Sequence, residues 1–259
     1  MRSIWNGSIS FGLVSIPIKM YSGSEDRKID LDMLDSHDHE RIRYKRVNEK
    51  SGEEVAWKDI VKGYKRDDGY VILENDDFEQ ANIKKSKTID IEEFVEETDV
   101  SDVLFKKPYF LEPQKEGGKS YNLLRDALKK TKKLGVATFV MRQKEHLSLI
   151  GVYKNALTLH VIRFDDEIRA TSDLKLPSTK VSKKEVDMAL SLIEQYTTKF
   201  DPTKYKDIYN DQLLQIIKDK AAGKKPKAAE EVDSTPTPAK DLMSRLKDSL
   251  EKKKKAKAS

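Results

Sequence analysis

Apolar and polar residues alternate near the N-terminus, with Ile9, Phe11 and Leu13 set against Ser8, Ser10 and Gly12. From Val14 the apolar phase moves by one residue, to Val14, Ile16, Ile18 and Met20. A one-residue slip in a period of two is what a β-bulge produces, so the pattern predicts a bulged strand. Pro17 falls on the opposite face with Lys19, which predicts an edge position or an interruption there. Residues 41–73 follow a polar stretch and contain two short alternating pieces around Lys50-Ser51-Gly52. They read as a polar β-ribbon that buries little of its own surface and needs a partner or ligand to lie against. Asn75 or Asp76 then caps a short helix with acidic residues in its first turn.

Lys87–Val95 and Pro108–Leu111 are strand-like. A helix begins at Ser120 with Leu123, Leu124, Ala127 and Leu128 on one face, and Gly135 is its expected stop. Val136–Met141 suits a buried strand, and Ala156–Phe164 alternates again. Many short strands with few helices predict a mainly β, α+β fold: a barrel or sandwich with helical additions. After Pro177 the period changes. Ser182 and Glu185 form a capping box before a stripe of Val186, Ala189, Leu190 and Ile193. Asp201-Pro202 is expected to open a second helix that Gly223 ends. Residues 224–240 read as a flexible linker. Leu242, Met243, Leu246 and Leu250 then mark a short amphipathic helix with no core of its own, suited to a partner's groove or to transient order on a tail.

Charge changes this picture. The 259-residue chain carries 50 Lys or Arg and 45 Asp or Glu, for a net charge of +5. Residues 221–259 hold ten Lys and one Arg against six acids, so the whole excess sits in the tail and residues 1–220 are neutral. Within that neutral body, Arg and Lys crowd the 41–65 region among Tyr44, Trp57 and Tyr64, a composition suited to phosphate and sugar. A body that binds nucleic acid without a net positive charge must do so by local patterning or by enclosure.

Other chemistry is sparse. There is no Cys, which excludes disulfides, Cys–zinc sites and Cys nucleophiles and suits a reducing compartment. No apolar run approaches a membrane span and no signal-peptide core opens the chain. His37 and His39 lack an evident third metal ligand. Asp67-Asp68, Asp76-Asp77 and Asp165-Asp166 are adjacent pairs, which a strand would point to opposite faces and a turn would make ordinary loop residues. No P-loop, dinucleotide fingerprint or HExxH is present. Arg142–His146 reads as a basic surface turn after a buried strand. No cofactor and no catalytic residue is expected.

Several motifs together resemble bacterial Ku proteins. Arg2–Tyr21 (RSIWNGSISFGLVSIPIKMY) is similar to the family's opening, and Arg43-Tyr-Lys-Arg46, Val55–Tyr64 (VAWKDIVKGY) and Phe139–His146 (FVMRQKEH) to its later motifs. Phe200–Tyr209 (FDPTKYKDIY) resembles its helical arm and Asp241-Leu-Met243 its tail. The resemblance implies a β-barrel with an extended DNA-encircling bridge over residues 1–180, a dimer-stabilising helical arm over 181–222, and a Lys-rich tail over 223–259. It implies a non-enzymatic, ring-shaped homodimer on double-stranded DNA ends, acting in the bacterial cytoplasm at the nucleoid. It also implies recruitment of the end-joining ligase, ligase D, through the C-terminal region. About 15 extended residues at about 3.3 Å each reach about 50 Å, enough for two ribbons to enclose a duplex.

On charge and motif position, Lys19, Arg43, Lys45, Arg46, Lys62, Lys65, Arg66, Arg142 and Lys144 are expected to line the DNA path, although alternation must turn some outward. Lys252, Lys253, Lys254, Lys255 and Lys257 are expected to add salt-sensitive DNA contact, and Leu242, Met243, Leu246 and Leu250 to meet the ligase. Two competing readings stand beside this one. A nucleoid-type binder driven by the Lys tail would lose all DNA binding on deletion of 223–259. A hydrolase using the acidic pairs would show divalent-metal-dependent cleavage of nucleic acid.

Overall fold

The computed structural model describes residues 1–81, 87–142, 144–225, and then 244, 246–249 and 251. The chain divides into two compact units. One comprises Met1–Asp26 with Leu31–Thr171, and the other Arg27–Asp30 with the chain from Ser172 onward.

The first unit is built on a closed seven-stranded barrel. Its strands are β1 (Trp5–Phe11), β2 (Val14–Ser22), β5 (Thr88–Glu96), β6 (Phe105–Pro113), β7 (Lys133–Met141), β8 (Lys144–Tyr153) and β9 (Ala156–Ile162). Two further strands, β3 (Lys62–Arg66) and β4 (Gly69–Leu73), form a separate hairpin, and α1 (Asn75–Ala81) follows it. The barrel order is β1-β2-β6-β9-β8-β7-β5, closed by a parallel β1–β5 pairing in an otherwise antiparallel sheet.

The phase slip at Val14 is a hairpin and not a bulge. Phe11 pairs with Val14, and Gly12-Leu13 turn the chain back into β2. A two-residue turn resets the alternation as an inserted bulge residue does. Pro17 sits on an interior strand, yet the β2–β6 ladder starts at Ile18, just past the residue that has no N–H to give. Genuine register shifts occur between Ile91 and Glu93 of β5 and between Phe105 and Lys107 of β6.

Inward side chains from alternate positions fill the barrel: Ile9, Ile16, Ile18, Met20, Ile89, Leu111, Ala137, Phe139, Ile150, Leu157 and Leu159. Gly7 lets β1 and β5 approach closely. A Cβ there would stand 2.1 Å from the Lys87 carbonyl oxygen and 2.3 Å from the Trp5 ring. The adjacent Ser8 N–H donates to that same carbonyl at 3.0 Å.

The helix α2 (Gly118–Thr131) buries Tyr121, Leu124 and Leu128 against the barrel. It begins two residues before Ser120 and ends at Lys132, whose φ of 55° supplies the left-handed cap expected of Gly135. Gly135 lies instead in β7. Leu123, placed on the apolar face by spacing, is exposed, and Tyr121 takes the buried position.

In the second unit, α3 (Lys183–Tyr196) begins with the expected capping box. The Ser182 hydroxyl accepts the Glu185 N–H, and the Glu185 carboxylate accepts the Ser182 N–H at 2.8 Å. Asp201-Pro202 opens only a single 3-10 turn, Pro202–Lys204. The helix α4 (Ile208–Ala221) starts later, capped by Asp207, whose carboxylate accepts the Asn210 N–H at 3.0 Å. Gly223 follows its end with a φ of +72°. Arg27, in the connector after β2, is held in this unit by a 2.8 Å ion pair with Asp211, while Asn210 donates to the Arg27 carbonyl at 2.8 Å. Most of the 224–240 linker, and Leu242, Met243 and Leu250, lie outside the described residues. Ser244, Leu246–Ser249 and Glu251 have helical backbone.

Candidate nucleic-acid interface

Strand register decides where the cations go. β2 ends at Ser22, opposite Tyr109 near the start of β6. β7 ends at Met141, opposite Lys144. β9 ends at Ile162, which pairs with Phe105 and with Leu147. β5 enters at Thr88, opposite Ser8. These strand ends surround one mouth of the barrel. The opposite mouth holds the Phe11–Val14 and Tyr153–Ala156 turns and the start of α2. The segment between β2 and β5, with the basic ribbon in it, therefore leaves and re-enters the barrel at the first mouth.

Arg142 and Lys144 stand at that mouth. Arg142, with a φ of 53°, begins the two-residue turn joining β7 to β8. The residues read as a surface turn divide accordingly, with Lys144–His146 belonging to β8. The structure adds two cations that spacing did not single out, Lys106 and Lys107. The register shift in β6 falls at Lys106, the kind of irregularity that re-aims a side chain at a barrel rim. Lys106 grips both oxygens of Glu167 at 2.8 and 2.9 Å. That bond and the Phe164 N–H hold the Glu167 carboxyl below its ordinary range. Lys106, Lys107, Lys144, His146 and Tyr109 line a cavity of about 200 Å³ here. Burial pushes the His146 imidazole down, and Lys144 and Lys106 push the same way. Lys19 lies exposed on the outer wall of β2 near the same mouth, between Asn6 and Glu112 in register.

The ribbon has two parts. The first is held by isolated bridges, Leu34 with Arg41 and Val47 with Glu54. Its turn is tied by Asn48, whose side chain accepts the Lys50 N–H at 2.9 Å and the Ser51 N–H at 3.1 Å. The second part is the β3–β4 hairpin. There Lys62, Tyr64 and Arg66 share one face, and Lys65 and its cross-strand neighbour Tyr70 share the other. Gly63 makes room for that ring, since a Cβ there would stand 3.2 Å from Tyr70.

From Arg41 to Arg66 there are nine Arg or Lys against four Asp or Glu. Several are tethered: Lys45 to Glu54 at 2.7 Å, Arg66 to Asp68 at 3.6 Å, and Arg41 to Asp32. Arg46 stacks on Trp57 at 4.5 Å, and Lys62 lies 4.4 Å over the Phe78 ring. Arg43 and Lys65 have no carboxylate at ion-pair distance among the described residues. Exposed pairs of this kind are weak, so the cations are free to exchange carboxylate for phosphate.

The acidic pairs sit on three different elements. Asp67-Asp68 sits at the β3–β4 turn, Asp76-Asp77 in the first turn of α1, and Asp165-Asp166 in a 3-10 turn. Among the described residues no three His, Asp or Glu side chains converge as a metal-ligand set, and no helix is long and apolar enough to cross a membrane. Lys252, Lys253, Lys254, Lys255 and Lys257 lie outside the described residues, as do all the tail apolar positions except Leu246.

The barrel and the chain as a whole have counterparts among known proteins. Residues 10–188 match the model of the Ku70/Ku80 β-barrel domain. A non-homologous end joining protein Ku of Opitutus terrae is 39% identical over 254 residues, covering 96% of this chain and 91% of that one. The protein of the same name from Coxiella burnetii is 36% identical, covering 99% of this chain and 96% of its own length. That of Bacillus subtilis is 36% identical, covering 97% and 82%.

Proposed function

The chain belongs to the Ku family, and from that membership we propose that it binds the ends of double-stranded DNA in non-homologous end joining. In this reading two copies form a ring, the ring threads onto an end without reading sequence, and the bound dimer recruits a ligase of the ligase D type. It acts by binding, at the bacterial nucleoid, and performs no chemistry on the DNA itself.

The observation that carries the reading is the shared mouth. Arg43, Lys45, Arg46, Lys62, Lys65 and Arg66 lie on a segment that leaves the barrel where Lys19, Arg142 and Lys144 stand. A long polar loop whose cations are at most held in exposed, weak pairs, returning to the barrel mouth it left, suits an arch over a charged rod. Contacts made by such an arch fall on phosphate and sugar, which fix position and carry no base information.

The arm supports the homodimer. Val186, Leu190, Ile193 and Tyr196 form an exposed apolar stripe along α3, and Ile208 and Tyr209 are exposed on α4. Removing these side chains from water on a second copy contributes roughly 25 cal/mol per Å². On this reading residues 181–222 stabilise the dimer, and residues 223–259 add phosphate contact through their Lys residues and ligase contact through Leu242, Met243, Leu246 and Leu250.

The test is a trapping experiment. Protein is loaded on a linear duplex, both ends are blocked with a bulky protein, and the salt is raised to about 1 M, where the Debye length is about 3 Å. A threaded ring stays on blocked DNA and leaves unblocked DNA. Equal loss from both would reject threading.

A further inference from the structure

We infer that the ribbon carries a platform for unpaired nucleotides, so that this chain takes single-stranded extensions at a DNA end in addition to the duplex. The inference rests on the DNA-end reading above and names a second substrate class for the ribbon.

The observations are aromatic. Tyr44 is 81% exposed, Trp57 73%, and Tyr64 and Tyr70 67% each. Four exposed rings within 27 residues of one polar ribbon have no hydrophobic core to fill. The register sends Tyr64 and Tyr70 to opposite faces of the β3–β4 hairpin. Trp57 is already arranged for stacking. The Arg46 guanidinium lies 4.5 Å from its centroid on one side, and the high exposure of the indole leaves ring surface open to a ligand.

A duplex makes poor use of such rings. Its bases are stacked on one another, and its outside offers phosphates and sugars that need donors and cations. Unpaired bases do present π-faces. Aromatic rings interleaved with cations are how proteins hold single strands without reading sequence, each stacked base contributing about 1–3 kcal/mol. The cations are in place: Arg43 and Lys45 flank Tyr44, and Lys65 is paired across the strands with Tyr70. Positive charge beside the rings selects a polyanion over an apolar peptide as the occupant.

The experiment uses the full-length chain and three DNAs sharing one duplex. One is blunt, one carries 3′ extensions of ten thymidines, and one carries extensions of ten abasic residues. The abasic arm has the same phosphates and no rings, so it separates stacking from charge. The expected result is roughly tenfold tighter binding of the thymidine-extended end than of the abasic-extended end, with quenching of tryptophan fluorescence by the thymidine arm. In Trp57→Ala the thymidine-to-abasic ratio falls toward one, and in Trp57→Phe the quenching disappears while part of the ratio is kept.

Equal binding of thymidine and abasic extensions by the unaltered protein overturns the inference and leaves the ring intact. A thymidine preference that persists unchanged in Trp57→Ala, Tyr64→Ala and Tyr70→Ala overturns the placement of the platform on the ribbon. Failure to bind even the blunt duplex through its ends overturns the underlying reading, and the inference with it.

Discussion

The Leu157 N–H donates to the hydroxyl of Tyr121 at 2.7 Å, and that hydroxyl donates in turn to the Leu111 carbonyl at 2.7 Å. Leu111 and Leu157 are the last register pair of the β6–β9 ladder, so a side chain from α2 completes the ladder where backbone pairing stops. Tyr121→Phe keeps the ring and leaves a buried N–H and C=O without their partner. The expected cost is about 1–3 kcal/mol, read as a lower denaturation midpoint. DNA binding by the folded fraction stays unchanged, because this joint lies at the mouth away from the ribbon. An unchanged midpoint would mean that water or relaxation replaces the hydroxyl.

The arm predicts oligomeric state. Leu190 and Ile193 lie in the exposed stripe of α3, Ile193 at 62% exposure. Leu190→Asp with Ile193→Asp should convert a dimer to a monomer in sedimentation at micromolar concentration, with the barrel's circular dichroism retained. A dimer that survives both substitutions places the interface elsewhere.

Acid should weaken the fold in the histidine range. Burial holds His160, edge-on to the Phe105 ring at 5.4 Å, below its ordinary value of 6.5. His146 is held below the same value by burial first, then by Lys144 and Lys106, with the Met141 backbone and Glu167 opposing. Both imidazoles therefore bind protons less readily folded than unfolded. Stability is complete above about pH 6.5 and falls as the unfolded chain protonates below it. The denaturation midpoint should be lower at pH 5.5 than at pH 7.5, and the gap smaller in His146→Gln with His160→Gln. Glu167, with a lowered carboxyl pKa, loses its contribution in a separate window, below about pH 4.5.

Charge reversal on the ribbon tests its phosphate contacts. Arg43 and Lys65 have no carboxylate partner among the described residues, so their replacement by Glu breaks no ion pair of the fold. Each substitution should weaken binding to any duplex sequence alike and reduce the slope of log K against log salt by about one. A slope that does not change would remove that residue from the DNA path.

The barrel was legible where one face was buried and the other wet. Ile16, Ile18 and Met20 in β2 alternate with the exposed or half-buried Ser15, Pro17 and Lys19 and mark their strand, while in β9 Leu157, Leu159 and Val161 stand out because Thr158 and His160 between them are polar, although Thr158 is itself buried. β8 was not legible. Its stretch Ser148–Gly151 is buried on both faces, so the period of two disappears and nothing separates it from a turn with an apolar tail. In sequence the hairpin at Gly12 cannot be told from a bulge, because both events reset the same phase. The exposure of Leu123 is not readable from spacing, because a stripe of Leu123, Leu124, Ala127 and Leu128 fits a helix face as well as Tyr121, Leu124 and Leu128 do. Only packing against the barrel distinguishes them. In the candidate interface the ribbon cations were visible as composition. Lys106 and Lys107 were not, since their role depends on a register shift and on which strands end at the same mouth.

The measurement that bears most directly on the account compares one DNA fragment as a linear duplex and as a covalently closed relaxed circle, at one near-physiological salt concentration. The two forms carry the same phosphates, so an open electrostatic surface treats them alike. The account predicts stable binding to the linear form and little to the circle, with binding restored when a single cut opens the circle. Equal affinity for both forms would contradict the ring and leave the basic tail as the main DNA-binding element.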